Sequence, residues 1–173
     1  MFKTLTLIVL AGLAAAGSAQ AATFQFSYQA AAGTISGRLS GSVQADGNTI
    51  FLKGLASPLR FNGAAGAPLP VFFTASTLYG VDRQPAVTFD GSYLDFAACA
   101  DGDCSDGVLF DPDTIDVAPV VSVGTSYGDF REYSDPSLWS ISAVPDTATW
   151  MLMLGGFSLV GSIARRRKSV VAA

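Results

Sequence analysis

The sequence predicts an all-β fold, an antiparallel β-sandwich or partly closed barrel, with an N-terminal signal peptide and one C-terminal transmembrane helix added at its ends. Three observations carry this. Ile35, Gly37, Leu39, Gly41 and Val43 alternate strictly with Ser36, Arg38, Ser40, Ser42 and Gln44, the period of a strand with one wet face. Short runs of this kind recur between turn residues, and no long amphipathic helical period separates them. At both ends of the 173-residue chain stands an uncharged apolar stretch beside positive charge.

The first end reads as an export address. Lys3 gives a charged start, Leu5 to Ala16 an apolar run broken only by Thr6 and Gly12, and Ala19-Gln20-Ala21 a small-residue cleavage site. The apolar run is short for a membrane span. Residues 1–21 are therefore expected to be a secretory signal, cut between Ala21 and Ala22. The alternatives are an uncleaved anchor or a buried helix.

Residues 22–144 form the body. Phe24, Phe26 and Tyr28 share one parity and predict a first strand. The alternating run at 35–44 predicts the second. Ala45-Asp46-Gly47-Asn48 is a turn signal, with Thr49 to Lys53 returning as a third. Further strands are expected at Pro58–Phe61, Val71–Thr77, Ala86–Phe89, Tyr93–Ala98, Val108–Phe110, Ile115–Val123 and Trp139–Val144. Loops are expected at Asn62–Pro70, Gly80–Pro85, Asp101–Gly107 and Gly124–Pro136, and no helix is expected in the body. The glycines of the second strand make room for bulky cross-strand neighbours, or else mark an edge that pairs with another chain.

Cys99 and Cys104 form a C-x4-C pair. In an oxidising exported compartment a disulfide is the default, pinning a tight turn. A redox pair has C-x-x-C spacing at a helix start, which this is not. Asp101, Asp103 and Asp106 lie in the same loop, with Asp111 and Asp113 behind them. Oxygen ligands on a Gly-containing loop suit calcium, although the third Asp comes one place late for an EF-hand and its later Glu is missing. Asp and Gly clustered on a solvated turn are the plain alternative. No other cofactor is expected.

The chain has no His, which removes Ser-His and Cys-His pairs and most zinc sites. No nucleophile elbow, Walker loop or dinucleotide fingerprint occurs, so no catalysis is expected. Tyr127, Phe130, Tyr133 and Trp139 supply either a carbohydrate-stacking face or core. The body holds five cations against 13 carboxylates, a net charge of −8, against −4 for the whole chain. That disfavours nucleic acid and anionic lipid as partners.

The tail, 145–173, is a second address. Ala148 to Ala164 carries no charge, and Arg165, Arg166, Arg167 and Lys168 follow at once. About 17 residues at 1.5 Å each make a helix of about 25 Å, slightly short of a bilayer core. Trp150 and the basic cluster suit the two interfaces. The cations place the tail in the cytoplasm and the body outside. A plain tail anchor is one alternative. A core helix is another, although no polar stripe is present.

Val144-Pro145-Asp146-Thr147-Ala148-Thr149-Trp150, then Gly155-Gly156-Phe157, Gly161 and Arg165-Arg166-Arg167, resemble a PEP-CTERM sorting signal. The subtype is the one with tryptophan five residues after the first proline. Such tails also carry the label of an ice-binding protein C-terminal domain, a label and not an activity. The resemblance covers residues 144–167. It implies an exported protein of a Gram-negative bacterium, handled by an exosortase in the inner membrane and associated with exopolysaccharide. The family's Pro-Glu-Pro is here Pro145-Asp146-Thr147. Asp146 keeps the carboxylate, and Thr147 lacks the stiffness of the second proline. The expected function is a structural or adhesive envelope or matrix protein, with a calcium- or carbohydrate-binding surface module as the alternative.

Overall fold

The computed structural model describes residues 21–80, 82–112 and 120–145. The signal segment with Ala19, Asp113, and the tail from Asp146 through Trp150, Gly156, Phe157, Gly161 and Arg165–Arg167 lie outside the described residues. No helix among the described residues is long and apolar enough to cross a membrane, and the predicted span is not among them.

The described chain is built of β-strands with three 3₁₀ turns. In order these are β1 (Ala22–Ala30), β2 (Gly33–Val43), β3 (Thr49–Leu55), β4 (Arg60–Phe61), β5 (Ala64–Ala65) and β6 (Val71–Phe73). Then come β7 (Ala86–Thr88), β8 (Leu94–Cys99), β9 (Gly107–Asp111), β10 (Val120–Val123), β11 (Phe130–Tyr133) and β12 (Trp139–Val144). The 3₁₀ turns are Ala75–Tyr79, Thr125–Tyr127 and Pro136–Leu138.

All pairings are antiparallel, in the order β11-β10-β9-β8-β7-β3-β2-β1-β12. β8 is the corner. Leu94 and Asp95 pair with Val87 and Ala86 of β7, whereas Phe96 to Cys99 pair with β9. β6 joins the same stretch, Val71 opposite Cys99. The sheet thus turns over itself, and its two halves enclose one core.

Period-two alternation decides which side chains meet there. Phe24, Phe26 and Tyr28 point inward from β1, and Ile35 and Leu39 from β2; all are at most 1% exposed. Phe96 and Phe110 face them from the other half. The Phe26 ring lies 5.9 Å from Phe96, 6.3 Å from Phe110 and 5.2 Å from Trp139. Phe96 stacks on Phe110 at 4.7 Å. Trp139 is buried with its indole N–H donated to the Thr88 carbonyl at 3.1 Å, so its polar end is satisfied.

Three expectations are corrected. The strand expected over Val71–Thr77 ends at Phe73, and the chain coils into a 3₁₀ turn closed by Gly80 at φ 77°. The segment 124–136, expected as loop, holds β11, which pairs with Val120–Val123. β5 lies inside the expected loop 62–70. Of the strand expected from Ile115, residues 120–123 are described and are strand.

Candidate functional site

The acidic loop joins β8 to β9. Cys99 is fully buried at the end of β8, and Cys104 bridges back to it with Cα atoms 5.0 Å apart. Closing so short a loop stabilises the fold by about 2 kcal/mol on the chain-entropy account. Two of the three candidate calcium ligands are engaged, each on a different partner. Asp101 accepts from the Ser105 backbone N–H at 3.0 Å and from the Ser105 hydroxyl. Asp106 reaches out of the loop to the Thr125–Tyr127 turn, accepting from the Ser126 backbone N–H and hydroxyl. Asp103 is exposed. Among the described residues no three metal-binding side chains converge. The loop geometry is that of carboxylates tying turns together.

Other turns are tied the same way. Asp46 accepts from Thr49 through both hydroxyl, at 2.6 Å, and backbone, at 2.9 Å. Asp90 accepts from the backbone and hydroxyl of Ser92 and from the Asn48 side chain at 3.1 Å, joining two neighbouring turns. Asp135 caps the Pro136–Leu138 turn through Ser137. These bonds favour the charged form. The Thr49 hydroxyl, the Ser92 backbone N–H, and the Ser105 and Ser137 hydrogen bonds hold Asp46, Asp90, Asp101 and Asp135 below the ordinary carboxylate range. A group depressed on folding stabilises above its unfolded pKa of about 4 and loses that contribution as pH falls through the lower folded value. The thermal midpoint is therefore expected to hold from about pH 7 to about pH 5 and to fall steadily below about pH 4. A midpoint that stays flat into stronger acid refutes these capping roles.

A second polar cluster runs inward from a cleft of about 220 Å³ bordered by Arg83, Ser92, Tyr93, Asp111 and Ser134. Arg83 donates to the Tyr93 hydroxyl at 3.4 Å, and Tyr93 donates to Asp95 at 3.0 Å. Asp95 is completely buried on β8, and its two oxygens also accept from the Ser76 backbone N–H and hydroxyl. A buried carboxylate persists only when donors surround it. Here they fasten the 75–79 turn to the outer face of β8. Burial pushes the Tyr93 hydroxyl above its ordinary pKa, so it remains a neutral donor near neutral pH. The cluster is an anchor, with the hydroxyls of Ser76 and Tyr93 both spent on Asp95.

The aromatics considered for carbohydrate stacking do not form one exposed face. Tyr127 is fully buried with its hydroxyl on the Ala67 carbonyl, and Trp139 is in the core. Phe130 packs on Phe61, and Tyr133, 73% exposed, stands out on β11.

The third place is a groove on the outer face of the β12-β1-β2 layer. β3 pairs with β2 from Val43 back to Leu39, then leaves it; β4 returns to pair at Ser36 and Ile35. The gap is bridged by Ser57, whose hydroxyl accepts from the Arg38 backbone N–H at 3.2 Å. Beneath it, buried Leu59 fills the space over Gly37, where a Cβ would come within 2.5 Å of its side chain. The interruption opens a groove of about 320 Å³ lined by Gln25, Arg38, Ser57, Pro58 and Arg60. Arg38 donates from Nε to Gln25 at 3.3 Å, and Arg60 donates to the Gly63 carbonyl at 2.9 Å. The sequence shows the two arginines but not their proximity; the strand pairing of Ser36 with Arg60 brings the site together.

The fold and its sites define a disulfide-bonded, all-β antiparallel domain with a buried carboxylate anchor and an open cationic groove. No known family, curated protein or solved structure matches the chain.

Proposed function

We propose that the protein is an exported cell-envelope or extracellular-matrix component with a structural or adhesive role. On this reading a signal peptide delivers it and a C-terminal exosortase-type signal sorts it. The observation that supports this most is the pairing of Thr23 with Val144. The chain enters and leaves the described fold on adjacent antiparallel strands. β1 begins at Ala22, directly after the expected signal cut, and β12 ends at Val144, directly before Pro145. Cuts at those two places remove no paired residue. Ala22 and Val144 also lie at one end of the fold, so a domain held there by its tail keeps the rest of its surface away from the membrane.

The partners on this reading are the processing enzyme, the membrane through the tail helix, and exopolysaccharide. The precursor sits in the inner membrane facing the periplasm, and the processed form reaches the surface or the medium. A chain without His or a catalytic motif supports the non-catalytic part of this reading.

Intact masses from the membrane fraction and the medium of the native host test this. The expected species begins at Ala22 and ends near Pro145, and any excess mass reports glycosylation. A species that keeps Arg165 to Ala173 and occurs only in membranes overturns the sorting role and leaves a tail-anchored periplasmic protein.

A further inference from the structure

We propose that the groove at Arg38 and Arg60 binds a carboxylated polysaccharide, with acidic groups on the two guanidinium ions and sugar hydroxyls along the rows of the neighbouring face. The inference deepens the matrix reading above by naming the chemistry of the polymer it meets.

Charge is divided between the two halves of the fold. From Ala22 to Gly80 the sequence contains one carboxylate, Asp46, against Arg38, Lys53 and Arg60. From Asp82 to Val144 it contains 12 carboxylates against Arg83 and Arg131. β12, the strand that the second stretch adds to the first layer, has no charge at all. The layer β12-β1-β2-β3 is thus cationic within an acidic body. Asp46 lies in the β2–β3 turn and is engaged by Thr49. At the opposite, β1–β2 hairpin end, Glu132 accepts from the Ala31 backbone N–H. Neither Arg38 nor Arg60 pairs with a carboxylate among the described residues; they donate instead to Gln25 and to the Gly63 carbonyl.

The register adds the second half of the argument. Ser142, Gln25 and Arg38 form one row across β12, β1 and β2. Ser140, Ser27 and Ser36 form the next, and Arg60 of β4 ends it. Two parallel rows of hydroxyl and amide groups, each ending in an arginine, lie about 7 Å apart along the strands. Guanidinium ions bind carboxylates through paired hydrogen bonds, and hydroxyl and amide side chains exchange hydrogen bonds with sugar hydroxyls. A nucleic acid fits less well. No aromatic side chain stands on these rows to stack a base.

Affinity electrophoresis of the full chain in non-ionic detergent, in gels containing polygalacturonate, dextran or polyadenylate, tests the proposal. Retardation is expected in polygalacturonate alone, with the apparent Kd weakened at least tenfold in the R38A/R60A double variant. Arg131→Ala, on exposed β11, is expected to bind within twofold of the parent. Both arginines of the groove are exposed, so the thermal midpoint of the double variant is expected to match the parent and serves as the folding check. No retardation, equal retardation by polyadenylate, or equal loss in Arg131→Ala overturns the proposal. Displacement by millimolar inorganic sulfate with no preference for the polymer reduces the groove to a simple anion site and also overturns it. The gel reads binding whether or not the tail is processed. Failure of the sorting role in the mass measurement therefore remains separate from failure here.

Discussion

Replacing Phe26 with alanine is expected to destabilise the fold by about 3–5 kcal/mol, read as a lower urea midpoint at unchanged slope. The cause is its position. Phe26 is 1% exposed, and its ring is shared by both halves of the sheet, touching Phe96 and Phe110 from one and Trp139 from the other. Truncation removes one ring contact from each of three rings at once, leaving the Phe96–Phe110 and Phe110–Trp139 contacts beside a void. Collapse cannot fill the space cheaply. Opposite Phe26 on β2 stands Gly37, which has no side chain to move, and Leu59 already occupies the room beside it. Phe26→Leu keeps most of the volume and is expected to cost less than the truncation. Val43→Ala, at a half-exposed strand end, is expected to stay within about 0.5 kcal/mol. Since a domain of this size has about 5–15 kcal/mol in total, the truncation removes a large share. A loss under about 1 kcal/mol would show that the two halves do not meet on this ring.

The strands with one wet face are readable in the sequence because alternation is local. β1 and β2 lie where their side-chain parity puts them, and β3, β7, β9 and β12 overlap the short runs expected between turn signals. β11 is not readable in this way, because Phe130-Arg131-Glu132-Tyr133 has two adjacent charges and only four residues. It is a strand because β10 supplies its pairing, an interaction that propensity does not contain. The break after Phe73 is equally hidden, since Thr74 to Tyr79 reads as well extended as coiled. What coils it is Asp95, far along the chain, which takes the Ser76 N–H and hydroxyl. The glycines of β2 are packing residues here: Gly37 lies under Leu59, and Gly41 against the Phe51 carbonyl, where a Cβ would come within 2.5 Å. The groove shows the same division. Its arginines and the scarcity of carboxylates around them are visible in the sequence. That Arg38 and Arg60 border one groove depends on where β3 leaves β2 and β4 replaces it.

Gly107→Ala is expected to be the other severe substitution, and it separates two meanings of the acidic loop. In the sequence, Asp106-Gly107 looks like part of a ligand loop. In the fold, Gly107 is the first residue of β9, at φ 155°, directly opposite Cys99. A Cβ there would lie 2.3 Å from the Ala98 carbonyl oxygen and 2.8 Å from the Cys99 Cα. Those are backbone atoms of β8, so no side chain can swing aside. The strands must part beside the disulfide and next to the Phe96–Phe110 stack. Backbone strain of about 1–3 kcal/mol and overpacking of about 1–3 kcal/mol together give a loss of roughly 2–6 kcal/mol. Gly102, in the same loop, has no atom within 4 Å of the corresponding position. Gly102→Ala is expected to change stability by less than about 0.5 kcal/mol. If the glycines serve a ligand loop, the two substitutions should instead have similar effects without calcium and diverge from the parent when calcium is added. Urea unfolding of both variants, with and without millimolar calcium, distinguishes the cases. A mild Gly107→Ala would mean that β8 and β9 do not approach as closely as their pairing requires.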